Sequence, residues 1–151
     1  MRSWQITCGG LSKQQLLLQL ASRKIAMNAY ATWLFLEIDF VSEEQQLYLQ
    51  QVTPRSLGFT APTTYLEFKA AALAQGFLLC PWYTAIYLRL QWMEPLELRF
   101  TVVCADEGRD VQSPRGFYLQ YYSDQYWLRG YRSSEDWLLA LDEAFVFRHA
   151  P

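Results

Sequence analysis

Tyr118, Tyr122, Trp127, Arg129 and Tyr131 fall in one run, FYLQYYSDQYWLRGYR (117–132), where seven aromatics and two arginines follow a period-two pattern broken only by Ser123-Asp124. Rigid amphipathic rings beside a guanidinium are the residue types that dominate interface hot spots and aromatic stacking platforms. A two-residue turn at Ser123-Asp124 pairs Tyr122 with Gln125 and separates the side chains by face. Phe117, Leu119, Tyr121, Tyr126 and Leu128 then point to a core. Tyr118, Gln120, Tyr122, Trp127, Arg129 and Tyr131 point the other way, where they either bind a partner or are covered by another part of the fold.

Cys80, Trp82, Arg89 and Trp92 form a second group that could converge on a pocket between helices and sheet. A helix from Pro81 through Leu90 with Cys80 as its N-cap would favour the Cys80 thiolate through the free amides of its first turn, while the aromatic and β-branched content of WYTAIYLRLQW leaves a strand as the alternative there. A cysteine hydrolase also needs a base, and the sole histidine, His149, stands close to the C-terminal end of the sequence. Arg89 sits among apolar neighbours, where a guanidinium is costly unless paired, so an internal carboxylate or an anionic ligand is expected beside it. Carboxylates cluster at Asp106, Glu107 and Asp110, at Glu135 and Asp136, and at Asp142 and Glu143. None has a metal-ligand spacing, and solvated polar loops are the expectation; EF-hand, HExxH and GxSxG patterns are absent, and no motif calls for a cofactor.

The elements that must position these groups are legible from their start and stop signals. Ser12 with Gln15 makes a capping box, Leu11 can staple to Leu16, and a helix is predicted from there to about Arg23. Asn28 can cap a second helix carrying Tyr30, Trp33 and Leu34, giving a helical hairpin. A strand is expected around Leu47 to Val52, ending before Pro54. Thr64 and Glu67 form another capping box ahead of the alanine-rich KAAALAQ, and Gly76 suits the C′ position, so a helix is predicted over 64–75. Leu96, Leu98, Phe100, Val102 and Cys104 then share one face and Glu97, Arg99, Thr101 and Val103 the other, the pattern of a half-buried strand over 96–104. A polar loop from Asp106 to Gly116 leads to the hairpin, and a last strand is expected over 144–148.

The segments GLSKQQLLLQL, NAYA and LF, then QGFLLCP and LRLQ, then GFYLQ and WLRGYR, resemble a family of small uncharacterised bacterial proteins, some of which bear the label helicase. The resemblance spans most of the chain but rests on structural motifs, and it implies no catalytic or binding residue. The label finds no support in the sequence, which lacks a GxxxxGK-[ST] phosphate loop and is too short for two motor domains. Ser-Asp also stands where a hairpin turn usually has a residue pair such as Asp-Gly.

Composition bounds the remaining classes. A chain of 151 residues, 52% hydrophobic and 17% aromatic with only 19% charged, is built to bury a core and fits a single domain, 1–151. The net charge of −2, with no basic stripe, argues against nucleic acid as a partner. Three separated cysteines without a CxxC pair, no signal-peptide core and no apolar run of about 18 residues point to a cytoplasmic protein with no membrane association. The expected fold is α+β, with an N-terminal helical part packed on an antiparallel β-meander made by 96–104, 117–122, 126–132 and 144–148. The expected function is non-enzymatic: a protein-binding or self-associating module using Tyr118, Tyr122, Trp127, Arg129 and Tyr131. A small-molecule-binding protein or enzyme using the Cys80, Trp82, Arg89 and Trp92 pocket is the alternative.

Overall fold

In the computed structural model, which describes residues 1–106, 109–134 and 136–151, helices and strands alternate along much of the chain. The order is β1 (Ser3–Cys8), α1 (Lys13–Ser22), β2 (Ala26–Met27), α2 (Ala29–Glu37), β3 (Gln45–Val52), β4 (Thr63–Thr64), α3 (Tyr65–Ala74), α4 (Thr84–Gln91), β5 (Phe100–Val102), β6 (Gly116–Tyr122), β7 (Gln125–Tyr131), β8 (Leu138–Leu139) and β9 (Ala144–His149). Seven strands make one sheet in the order β1-β3-β9-β5-β6-β7-β2, and β4 pairs separately with β8. The fold is α+β, but two expectations need correcting. The helices are not gathered in an N-terminal part, and the sheet is a mixed, curled half-barrel rather than an antiparallel meander.

β5, β6 and β7 do follow one another antiparallel, whereas β9 crosses over to lie between β3 and β5, antiparallel to the first and parallel to the second. The reason is its composition. Ala144 and Val146 face one hydrophobic cluster and Phe145 and Phe147 the other, so this strand is apolar on both sides and belongs in the sheet centre. β1 was not anticipated at all, although Trp4, Ile6 and Cys8 alternate inward with period two.

Every residue of α4 from Thr84 to Leu90 is buried. This helix touches β1 at one edge of the sheet and β6 and β7 towards the other, which requires the sheet to curl around it. Leu16, Leu20, Leu34 and Phe35 from α1 and α2 complete that cluster against Leu49, Phe100, Phe117, Leu119 and Leu128. On the opposite face, Tyr65, Phe68 and Ala72 of α3 cover Val52, Phe145 and Phe147, with Leu139 closing the side. Each large apolar side chain so buried contributes about 1.5–3 kcal/mol.

The caps form largely as their residues dictate. Ser12 and Gln15 make the reciprocal capping box, and Asn28 caps α2 by accepting from the Ala31 amide at 2.9 Å. Thr64 accepts from the Glu67 amide, but the Glu67 carboxylate turns to the Thr63 hydroxyl, so only half the box is present. Gly76, at φ +96°, ends α3 in a Schellman turn with Phe77 N–H donating to the Ala72 carbonyl. The helix expected from Pro81 begins three residues later. Cys80 N–H is held by the Val103 carbonyl, and Pro81 to Thr84 forms a turn, so Cys80 is not an N-cap. The strand expected over 96–104 is reduced to Phe100–Val102, where pairing with β6 begins, plus a bridge from Cys104 to Cys80. Among the described residues no helix is long and apolar enough to cross a membrane.

Candidate binding surface

Ser123 (φ +53°) and Asp124 (φ +57°) are both left-handed, which is the geometry of a two-residue type I′ hairpin turn. The Asp124 carboxylate accepts from the Tyr121 hydroxyl at 3.2 Å, helping to hold a turn that lacks glycine. The resulting register pairs Tyr122 with Gln125, Gln120 with Trp127 and Tyr118 with Arg129. Phe117, Leu119 and Leu128 accordingly face the core, with Tyr121 and Tyr126 in contact beside them at 4.8 Å.

The outer face divides further. Tyr118 is only 7% exposed and its ring lies between Tyr131, 6.2 Å away, and the Arg99 guanidinium, stacked at 4.1 Å. Tyr131 continues the cluster to Trp137 at 5.6 Å and shares a hydrogen bond with Tyr65. Burial pushes its hydroxyl pKa well up, with Tyr65 adding to the effect. These two tyrosines are therefore largely structural. Tyr122, 59% exposed, and the half-buried Trp127 and Arg129 form the accessible stripe. The Arg129 guanidinium lies 4.4 Å over the Trp127 ring and donates a long bond, 3.4 Å, to Gln120 Oε1. Trp127 Nε1 and Arg129 Nε are shielded from solvent and have no hydrogen-bond partner.

Two hollows flank this face. One, of about 420 Å³, is walled by Tyr118, Tyr131 and Trp137 with Arg99, Thr101 and Glu143 at its sides. The other, of about 670 Å³, lies against α3 between Lys69, Asp106, Arg109 and Arg115, and the two share Ser134. Asp106 is not the solvated loop residue expected of it. Its side chain, 7% exposed, bridges Lys69 Nζ at 2.9 Å and Arg115 Nη1 at 2.6 Å, tying the loop to α3. Of the other carboxylates, Asp110 accepts from the Gln112 amide, Asp142 pairs with Arg55, and Glu143 accepts from the Ala140 amide. Asp136 accepts from the Ser134 hydroxyl, and Glu107 and Glu135 lie outside the described residues. Among the described residues no three His, Cys, Asp or Glu side chains gather as metal ligands do.

The residues of the alternative pocket are spread along α4. Cys80 and Trp82 precede the helix and Arg89 and Trp92 end it. The Cys80 thiol donates to the Val146 carbonyl at 3.6 Å, and burial drives its pKa well above the ordinary range, the reverse of an activated thiolate. Trp82 stacks under Arg109 at 5.2 Å, while Trp92 packs edge-on against Trp4 and Phe100. Arg89, 2% exposed, has no carboxylate partner among the described residues, against the expectation. Its Nη2 donates to the Trp92 carbonyl at 2.6 Å, its guanidinium lies 5.1 Å over Tyr126, and desolvation lowers its pKa to about 10. The ring and the carbonyl meet part of its demand, and its buried Nε has no hydrogen-bond partner among the described residues. His149 lies beside Tyr48 with its Nδ1 at 2.8 Å from the Ala150 carbonyl.

Sequence reasoning missed Arg99 and Trp137 as neighbours of the hairpin face. Arg99 was recoverable, because its parity with Thr101 sets it on the side of the strand that pairs with Tyr118. Trp137 had no such signal. No family model matches the chain, no curated protein is similar to it, and no solved structure matches its fold. The functional reading accordingly rests on geometry.

Proposed function

We propose that the protein is a binding module that engages a protein partner, or a second copy of itself, through the outer face of the β6–β7 hairpin. The observation that carries this reading is the stripe of Tyr122, Trp127 and Arg129, an aromatic and guanidinium surface left partly open on the sheet. Such residues bury large area at little entropic cost.

The test places a photo-crosslinking residue on the face. Tyr122→benzoylphenylalanine is expected to give a crosslinked adduct with a partner or a second copy in cell extract, and Trp127→Ser is expected to remove it while the far-ultraviolet circular dichroism is unchanged. Leu18, equally exposed on α1, serves as the control position. Adducts of equal yield from both positions, or none from position 122, would refute the assignment.

A further inference from the structure

The partner's chemistry follows from the charges left unpaired on this face, an inference that rests on reading the hairpin as a binding surface. Arg99 is exposed and lies immediately before β5. Its guanidinium is stacked 4.1 Å over Tyr118 and makes no ion pair or hydrogen bond within the described residues. A stacked guanidinium spends its flat face on the ring and keeps its N–H fork in the plane, free for a bidentate acceptor. Beneath the fork lies the hollow of about 420 Å³, whose walls are Tyr118, Tyr131 and Trp137.

The other guanidiniums on this side are in the same condition. Arg129, paired across the strands with Tyr118, bonds only to the amide oxygen of Gln120, and Arg132 only to that of Gln112. The one carboxylate lining the hollow, Glu143, has an oxygen engaged by the Ala140 amide at 2.6 Å. Arg99 and Arg132 therefore share the hollow with one committed carboxylate, and Arg129 stands across the strand pair from Tyr118.

We infer that the partner presents an acidic peptide segment, one carboxylate of which sits in the Arg99 fork above Tyr118 while its neighbours run along Arg129. A phosphate backbone fits less well. A polyanion needs a continuous cationic track, and here Glu143 lines the hollow with Arg99 while the adjoining hollow sets Asp106 and Asp136 among Lys69, Arg109 and Arg115.

Fluorescence anisotropy with a labelled alternating Glu-Tyr peptide, the matching Gln-Tyr peptide and oligothymidylate decides the matter. The Glu-Tyr peptide is expected to bind, with the Gln-Tyr peptide about tenfold weaker or worse. Arg99→Gln should weaken Glu-Tyr binding about tenfold, and Arg99→Lys, which keeps charge but loses the fork, at least about threefold. The position is exposed, so thermal unfolding of both variants should match the parent. Equal affinity for the two peptides, no binding of either, tighter binding of oligothymidylate, or an unaffected Arg99→Gln would each overturn the inference. If crosslinking at position 122 persists while Arg99→Gln binds normally, the acidic partner is wrong and the binding face stands. If crosslinking fails, the face itself is wrong.

Discussion

Asn28 joins the two halves of the hairpin's support, and its removal is the sharpest test of how the fold is held. β2 runs parallel to β7 for only two residues, Ala26 and Met27, before the chain turns into α2. Asn28 continues the ladder with its side chain. Its Nδ2 donates to the Gly130 carbonyl at 2.9 Å, and its Oδ1 accepts from the Gly130 amide at 2.8 Å while also capping α2 through the Ala31 amide. Asn28→Ala removes the cap, about 1 kcal/mol, and strands both backbone groups of the buried Gly130, about 1 kcal/mol or more each. The expected loss is about 2–4 kcal/mol. Asn28→Ser restores a cap without the reach to Gly130, so it should recover only about 1 kcal/mol. Urea unfolding followed by the fluorescence of the six tryptophans, with an unchanged m-value, measures all three. A serine variant as stable as the parent would show that the bonds to Gly130 contribute nothing, and the account of this edge would fail.

Three further outcomes are expected. Lys24 holds φ +56° at the C′ position of α1, where its amide and that of Ile25 close a Schellman turn, so Lys24→Gly should stabilise by about 0.5–1 kcal/mol in the same urea assay; a loss of stability would refute the strain. Asp106→Ala leaves Lys69 and Arg115, both largely buried, beside each other, and should cost about 2–3 kcal/mol by thermal unfolding, with a change under about 0.5 kcal/mol counting against the cluster. Burial raises Cys8 and Cys104 from 9.0 to about 12 and Cys80 well above 9.0. Folded pKa values above unfolded ones mean stability fully present below about pH 9 and lost as pH rises towards 12, by up to about 1.4 kcal/mol per pH unit per thiol. Arg89, lowered to about 10, acts in the opposite sense above that pH. The Cys104→Ala variant should therefore unfold over a shallower alkaline slope, and the native thiols should resist an aromatic disulfide reagent at pH 8. A fast-reacting thiol at that pH would contradict their burial.

What the sequence disclosed, and what it withheld, divides along the range of the interactions. Ser12, Asn28 and Gly76 act on amides and carbonyls within a few residues of themselves, so spacing alone located those helix ends. The hairpin register was legible for the same reason, since a two-residue turn leaves one pairing. The position of β9 is instead a competition between strands distant in sequence. Its FVF core could have closed a meander, but a strand apolar on both faces is stabilised most at the centre of the sheet, with β3 on one side and β5 on the other.

The candidate site shows the same split, with a consequence for which residues can carry function. Parity placed Tyr118 and Tyr131 on the outward face, yet parity gives only the side of the sheet and not what lies over it. Tyr65 from α3 and Trp137 from the segment after β7 take Tyr131 into the fold, and Tyr131 in turn packs on Tyr118. They do not reach Tyr122, and Trp127 and Arg129 stay half-buried. Tyr118 packs against Tyr131 at 6.2 Å, and the Arg99 guanidinium lies 4.1 Å over its ring with no hydrogen-bond or ion-pair partner among the described residues. Arg99 is exposed, so water meets its donors in the free protein, and an anion there would gain only from the two-pronged geometry that a stacked guanidinium offers.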